Sequence, residues 1–433
     1  MPSSRLNAKQ YKTMALASLG GALEFYDFII YVFFATILSE LFFPADMPFW
    51  LKQLQVFGIF SAGYLARPIG GIIIAHFGDL IGRKRMFMIS ILLMTLPTLA
   101  IGLMPTYAQI GLAAPLLLLL FRVLQGAAVG GEVPGAWVFV SEHVSSRHVG
   151  FACGVLTAGL TLGIFLGSLV AVVMRELFSE EELLSYAWRL PFILGGVFGL
   201  IAIWMRRFLD ETPLFQKMKE AGDLSTRAPI KQVLRNHKKS VIVTVLLTWL
   251  ISAAVIVMIL MTPAIMIGSS YFQIDALTLQ KANLVSTVTL TFGCVLYGYL
   301  SDKLNPSLVI GFGSLIMAST SLLLYVWLPQ NPHLVYWLFA LAGLGVSVIG
   351  AVPAVCVSAF PTQLRFSGMS FSYNIAYAIF GGVTPIFVAL LAAKSQLGPA
   401  WYVSAIGVGA VFVSLYLMNS DDELIYLRQQ KTR

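Results

Sequence analysis

Twelve runs of mostly apolar residues, each about long enough to cross a bilayer as a helix, recur along this chain and leave it few folds to choose from. A spanning helix needs about 20 mostly apolar residues. Such runs lie near 14–38, 53–77, 86–104, 110–140, 149–174, 188–208, 240–268, 280–300, 307–328, 333–358, 367–392 and 399–418. In hydrocarbon each backbone polar group has to be satisfied within its own segment, so runs of this kind are helices. The predicted fold is an all-α membrane protein of twelve transmembrane helices. Composition agrees: 58% of residues are hydrophobic and 11% charged, against about 25% charged in a soluble domain. Cys153, Cys294 and Cys356 all sit in apolar stretches with no CxxC partner or metal-ligand spacing, and read as small core residues. Arg5, Lys9 and Lys12 precede an apolar run too long for the h-region of a cleavable signal peptide.

All connections between runs are short except one. The polar, basic stretch 209–239 divides the chain into two sets of six: an N-terminal bundle over 1–208 and a C-terminal bundle over 240–433 with a short tail. Lys and Arg placement sets the orientation. With the N-terminus in the cytoplasm, inside segments carry about 21 basic residues and outside loops about 4, which puts both termini inside. The net charge of +8 therefore reports topology, not nucleic-acid binding. The halves also repeat. Asp79, in Gly78-Asp79-Leu80-Ile81-Gly82-Arg83, has a counterpart in Asp302, about 223 residues on; Arg147-His148-Val149-Gly150 has one in Arg365-Phe366-Ser367-Gly368, about 218 residues on. These loops make Asp79, Arg83, Arg147, Asp302 and Arg365 candidate gating residues.

Ionisable groups at bilayer depth cost roughly 3 kcal/mol or more each and mark function by default. Five stand out: Glu24 and Asp27 in the first helix, Arg67 in the second, and Arg122 and Glu132 in the fourth. Glu24 and Asp27 are three residues apart and lie roughly 18–22 Å into the membrane from Lys12. Two carboxylates in low dielectric do not both ionise readily, so one carries a proton, as proton coupling requires. The other reading is a structural pair neutralised by Arg67 or Arg122. Both arginines stay charged and need an anion, either a helix carboxylate or a substrate carboxylate. The expected cycle pairs a first-helix acid with one arginine in the empty carrier and frees that arginine on protonation. Glu132 reads as a gate near the inner end of its helix, with Gln125 on the same side. Arg189 reads as an outer anchor. The second half has no mid-membrane charge; Asn374, Tyr373, Tyr377 and Trp249 are its softer candidates.

Several of these residues fall in recognisable strings. Gly20-Gly21-Ala22-Leu23-Glu24-Phe25-Tyr26-Asp27-Phe28 resembles the helix 1 signature of the metabolite:proton symporter family within the major facilitator superfamily. Ala66-Arg67-Pro68-Ile69-Gly70-Gly71 resembles its helix 2 motif, and Arg122-Val123-Leu124-Gln125-Gly126 with Gly130-Gly131-Glu132 its helix 4 motif. Trp188-Arg189-Leu190-Pro191-Phe192 and Glu211-Thr212-Pro213-Leu214-Phe215 also match. The likeness covers the first half; the second half matches in layout. It implies two six-helix bundles and proton-driven import of a small carboxylate or zwitterion by alternating access. Carriers for proline and betaine, α-ketoglutarate, citrate and shikimate belong to this family, and the bacterial inner membrane is the implied location. It also adds Tyr26 to Arg67, Arg122, Gln125, Asn374 and Tyr377 as candidate substrate contacts. Ala75, Gly21, Asn305 and Pro306 depart from the family's pattern. A proton-independent facilitator or exchanger is the alternative within transport, and a non-transporting membrane sensor the alternative outside it. No Ser/His/Asp set, metal-ligand cluster or phosphate loop points to an enzyme. No cofactor is expected; the expected partners are a small-molecule substrate, protons and the lipid bilayer, with the protein a monomer.

Overall fold

Apolar length sets the helices and short polar caps start them. The computed structural model describes residues 6–81, 83–206, 208, 220, 229–267 and 271–419. Among the described residues, ten helices are long and apolar enough to cross a membrane: α1 Ala8–Phe33, α2 Phe49–Ile81, α4 Ala113–His143, α5 Val149–Leu177, α7 Lys238–Ile267, α8 Ala276–Lys303, α9 Pro306–Trp327, α10 Pro332–Ser358, α11 Arg365–Lys394 and α12 Gly398–Asn419. The helix α6, Arg189–Arg206, joins the segment Glu180–Ala187 at a bend of 49° to make an eleventh span. α3, Arg83–Leu103, supplies the twelfth through the shorter apolar helix Met88–Leu103. The expected twelve-helix fold is the observed one.

The caps follow ordinary chemistry. Asn7 and Gln10 form a reciprocal capping box at the start of α1, with bonds of 2.8 and 2.9 Å. Asp275 accepts from the Thr278 N–H at the start of α8, and Asn305 caps α9 with Pro306 in its first turn. One run is divided: α1 stops at Phe33 and a separate short helix, Ala35–Leu41, continues it. Among the described residues three spans carry π-helical segments: Leu183–Ala187 in the segment joined to α6, Ala254–Met261 within α7 and Tyr377–Gly381 within α11. Such irregularities concentrate at functional sites. A short helix, Pro229–Asn236, precedes α7 and buries Val233 against Ala359, Phe360 and Leu364 beside the start of α11.

Twelve alternating helices return the chain to the face from which α1 starts, here called the terminal face. Two seams position the interior. α2 and α4 run against each other with almost no side chain between them: a Cβ on Gly126 would overlap the Gly63 backbone, and one on Gly130 would overlap the Arg67 carbonyl. α5 and α8 run antiparallel along their whole length. From the terminal face outward, Gly150 and Phe151 N–H groups donate to the Asp302 carboxylate at 2.7 Å each. Gly154 then meets Gly298, Thr161 meets the Thr291 hydroxyl at 3.1 Å, and Glu176 pairs with Lys281 at 2.9 Å. Asp302 thereby receives the unsatisfied amides and the positive end of the α5 dipole, an attraction that ties the chain's first half to its second.

Gly126→Ala should destabilise the protein by about 1–3 kcal/mol through overpacking of the α2–α4 seam, read as an earlier loss of monodisperse protein on heating in detergent. Gly409→Ala, where a Cβ meets nothing within 4 Å, is the neutral comparison. Removing the α5 clasp should loosen the second seam: Cys153, fully buried beside it, should react with a membrane-permeant maleimide at least tenfold faster in Asp302→Ala than in the parent protein, with Cys294 and Cys356 replaced by Ser in both. An unchanged rate would mean the clasp does not hold the seam.

Candidate functional site

The glycine contacts of the α2–α4 seam bring two buried guanidinium groups to mid-depth. Arg67 of α2 is 1% exposed and Arg122 of α4 is fully buried. Neither forms an ion pair among the described residues; both rest on aromatic rings. The Arg122 Cζ lies 4.4 Å from the Tyr31 ring centre, 4.5 Å from Phe28 and 5.1 Å from Phe60. Arg67 lies 4.3 Å from Tyr377 and 5.2 Å from Tyr64, with Phe28 and Tyr373 each at 5.7 Å. The ring of Phe28 is thus shared by both cations. The negative face of a ring offsets part of the cost of a desolvated cation, about 2 kcal/mol in favourable cases. It leaves N–H groups over: Arg67 Nε and Arg122 Nε and Nη2 have no acceptor among the described residues.

A hydrogen-bonded chain leads away from Arg122. Its Nη1 donates to Gln125 Oε1 at 2.9 Å and to the Phe28 carbonyl at 3.3 Å. Gln125 Nε2 donates to Thr98 Oγ1 at 2.7 Å, and Thr98 donates to the Met94 carbonyl. Beyond Thr98 lies Asp27. Its carboxyl abuts Gly195 of α6, where a Cβ would meet both Asp27 Oδ1 and the Thr98 methyl. Neither carboxyl oxygen has a hydrogen-bond partner among the described residues.

Asp27 is therefore not ion-paired to Arg67 or Arg122, contrary to the simplest form of the sequence expectation. Helix phase explains why. A three-residue step rotates a side chain roughly 60° short of a full turn, so Asp27 points at α3 and α6. Glu24, 4% exposed, lies one turn before Phe28 and on its face of the helix. The structure also places Tyr26 at the back of α1: its hydroxyl donates to the Pro191 carbonyl at 2.9 Å and its ring packs edge-on against Phe198.

From the second half, α11 brings Asn374 and Tyr377 to the same region. Asn374 Nδ2 donates to the Gly130 carbonyl at 2.5 Å and Ser370 donates to the Gly71 carbonyl, so α11 is bonded to both α4 and α2. Tyr64 and Tyr377 stack across the halves at 5.8 Å. Trp249 stacks on Phe380 at 4.2 Å and donates to the Tyr402 hydroxyl. Glu132 accepts from Ser90 at 3.1 Å. At the terminal face Asp302 and Arg365 both lie within electrostatic reach of Cys153, whereas Arg147 is exposed. Partial burial, then Lys303 and Arg147, hold His148 below the ordinary imidazole value. Arg189 donates to the Gly102 and Met104 carbonyls at the end of α3, as an anchor should. The side chains of Asp79 and Arg83, and the motif Glu211–Phe215, lie outside the described residues.

Sequence reading passed over Thr98, Phe28, Tyr31, Phe60 and Tyr64. A signal was present for two of them: Phe60, Tyr64 and Arg67 stand at i, i+4 and i+7, one face of α2.

Comparison with known proteins adds the family. The model of the Major Facilitator Superfamily matches residues 17–385. The glycine betaine/proline/ectoine/pipecolic acid transporter OusA of Dickeya dadantii is 31% identical over 422 residues, covering 94% of this chain and 83% of its own. The inner membrane metabolite transport protein YhjE of Escherichia coli is 32% identical over 420 residues, 94% of this chain and 93% of its own. Among solved structures, the proton:xylose symporter XylE bound to 6-bromo-6-deoxy-D-glucose superposes with a TM-score of 0.79 over 98% of both chains. At 15% identity that likeness concerns the fold. With a family model spanning most of the chain, full-length relatives named as transporters and the twelve-helix fold itself, this chain belongs to the Major Facilitator Superfamily.

Proposed function

We propose that the protein is a proton-coupled symporter importing a small carboxylate-bearing zwitterion, an osmoprotectant of the betaine or proline class, across a bacterial inner membrane. One observation carries this reading: two buried guanidinium groups at mid-depth hold N–H groups with no acceptor among the described residues. A carboxylate is the planar acceptor that a guanidinium fork matches. The names of OusA and of the proline/betaine transporter of Salmonella typhimurium, 30% identical over 416 residues and 93% of this chain, support the substrate class. The units 1–208 and 240–433, joined by 209–239, rock so that this site faces each side in turn, with both termini in the cytoplasm. Asp79, Arg83, Glu132 and Arg147 of the first half and Asp302 and Arg365 of the second then belong to the cytoplasmic gate.

Asp27 is the proton site in this reading. An ion in its pocket bears a large desolvation cost that the protonated acid escapes. Thr98 turns its methyl toward that pocket and its hydroxyl toward Gln125. Loss of the proton rewards a rotation of Thr98 that brings the hydroxyl to Asp27. Gln125 then loses its acceptor, and with it the geometry that holds Arg122. Protonation reverses the sequence, so the charge state of Asp27 reaches Arg122 without a direct ion pair. Glu24, on the Phe28 face, is the second candidate.

Proteoliposomes loaded at high internal pH test this. The parent protein should accumulate labelled glycine betaine or proline against its gradient and lose the accumulation with a protonophore. Asp27→Asn should abolish accumulation while substrate counterflow stays measurable, and Glu24→Gln should do so only if Glu24 is the coupling acid. Accumulation in both mutants with the parent's dependence on the pH gradient would overturn the assignment.

A further inference from the structure

Arg67 sits in a box that looks built for something other than an arginine. Its walls come from three helices: Phe28 from α1, Tyr64 from α2, Tyr373 and Tyr377 from α11. The guanidinium carbon lies 4.3 to 5.7 Å from all four ring centres. The rings are locked together. Tyr64 and Tyr377 stack within 19° of parallel, Tyr373 and Tyr377 are 4.7 Å apart, and Trp137 of α4 backs Tyr373 edge-on at 5.2 Å. All four rings are buried, the most open being Tyr377 at 6%. Tyr377 lies nearest, its ring centre 4.3 Å from the guanidinium carbon. No carboxylate enters the box among the described residues, and Arg67 Nε has no acceptor.

Converging ring faces make a receptor for a cation of diffuse charge, above all a quaternary ammonium. A guanidinium is weakly hydrated and stacks on rings, so among side chains it is the closest imitation of such a cation. We propose that Arg67 is a tethered surrogate for the cationic end of the substrate: it fills the Tyr64–Tyr373–Tyr377 box in the empty carrier, and yields it to the substrate's ammonium while turning to take the substrate's carboxylate. This rests on the reading of the substrate as a carboxylate-bearing zwitterion.

The exchange keeps one cation in the box throughout, and the displaced guanidinium gains an anion instead of standing bare in low dielectric. It also explains how the site would demand both ends of its substrate. A cation without a carboxylate competes with a tethered rival at high effective concentration and gives Arg67 nothing in return. A carboxylate without a cation leaves the rings empty. Tyr373 and Tyr377 belong to the second half and Phe28, Tyr64 and Arg67 to the first, so exchange happens on the surface along which the halves must part. Tyr377 opens the π-helical segment of α11, where the backbone departs from the regular ladder.

Two half-ligands test the proposal on the purified full-length protein. Choline carries the trimethylammonium without the carboxylate; 3,3-dimethylbutyrate is the carbon isostere of glycine betaine without the positive charge. In the parent protein each should compete at least tenfold more weakly than glycine betaine in counterflow. In Arg67→Gln the surrogate is gone, so choline should bind at least tenfold tighter than to the parent by titration calorimetry. Adding Tyr377→Leu should remove that gain, and adding Tyr377→Phe should keep it. Choline binding to Arg67→Gln no better than to the parent would overturn the proposal. So would equal competition by 3,3-dimethylbutyrate and glycine betaine in the parent, a result that needs no mutant to fold and leaves carboxylate symport standing. If choline gains in Arg67→Gln while the parent transports neither betaine nor proline, the box is upheld and the substrate class is what fails.

Discussion

Charge that cannot leave a bilayer has to be housed in it, and the interior of this protein is arranged around two such charges. Moving an ammonium-sized ion from water into a medium of low dielectric costs on the order of 20 kcal/mol in the idealised limit. Arg67 and Arg122 recover part of that from ring faces, and Arg122 a further part from a carbonyl and an amide. Those groups come from α1, α2, α4 and α11, and they meet only because glycines let the α2 and α4 backbones touch. Substituting the seam would therefore move the charges as well as the helices.

The two seams differ in kind. Between α2 and α4, both in the first half of the chain, contact is backbone against backbone and has no obvious second arrangement. Between α5 and α8 it is a row of small residues and hydroxyls closed at the terminal end by a carboxylate on helix amides. Bonds of the second type exchange with water at little cost when the end of the seam opens, since amides and carboxylate are both well solvated. Rigid contact within a half and exchangeable contact between halves are what a rocking mechanism requires.

Much of this was legible in the sequence. Apolar length located all twelve spans, the first with its start six residues late and the others to within a few residues, because hydrocarbon leaves the backbone no alternative to helix. Arg67, Arg122, Glu24 and Asp27 announced themselves as charges where charge is expensive. Most of their partners did not, since aromatic residues are common in membrane helices and only the fold says which rings meet a cation. Phase misled as well: Glu24 and Asp27 share a stretch of α1 but diverge in direction, and Tyr26, within the same motif, is committed to the Pro191 carbonyl. The bend before α6 and the π segments depend on tertiary packing and left no local mark.

Proton and substrate coupling can be read from the same layout. Phe28 follows Asp27 in α1, shares its ring between both guanidinium groups and lends its carbonyl to Arg122. Any shift of this turn of α1 is felt at the acid pocket and at the aromatic box together. Arg67 and Arg122 form no ion pair among the described residues and leave N–H groups over, a field that favours a substrate carboxylate. Once that carboxylate is in place the field is weaker, and a proton at Asp27 meets less repulsion. Binding of each then favours binding of the other by the same factor, as linkage requires. On the proposed assignment, neutral Asp27 and a substrate carboxylate on Arg67 also leave few uncompensated charges to cross the barrier between the two faces. In this reading a carrier loaded with only one of the two rocks either with a guanidinium that has gained no anion or with an ionised Asp27 in a dry pocket, and joint loading avoids both costs.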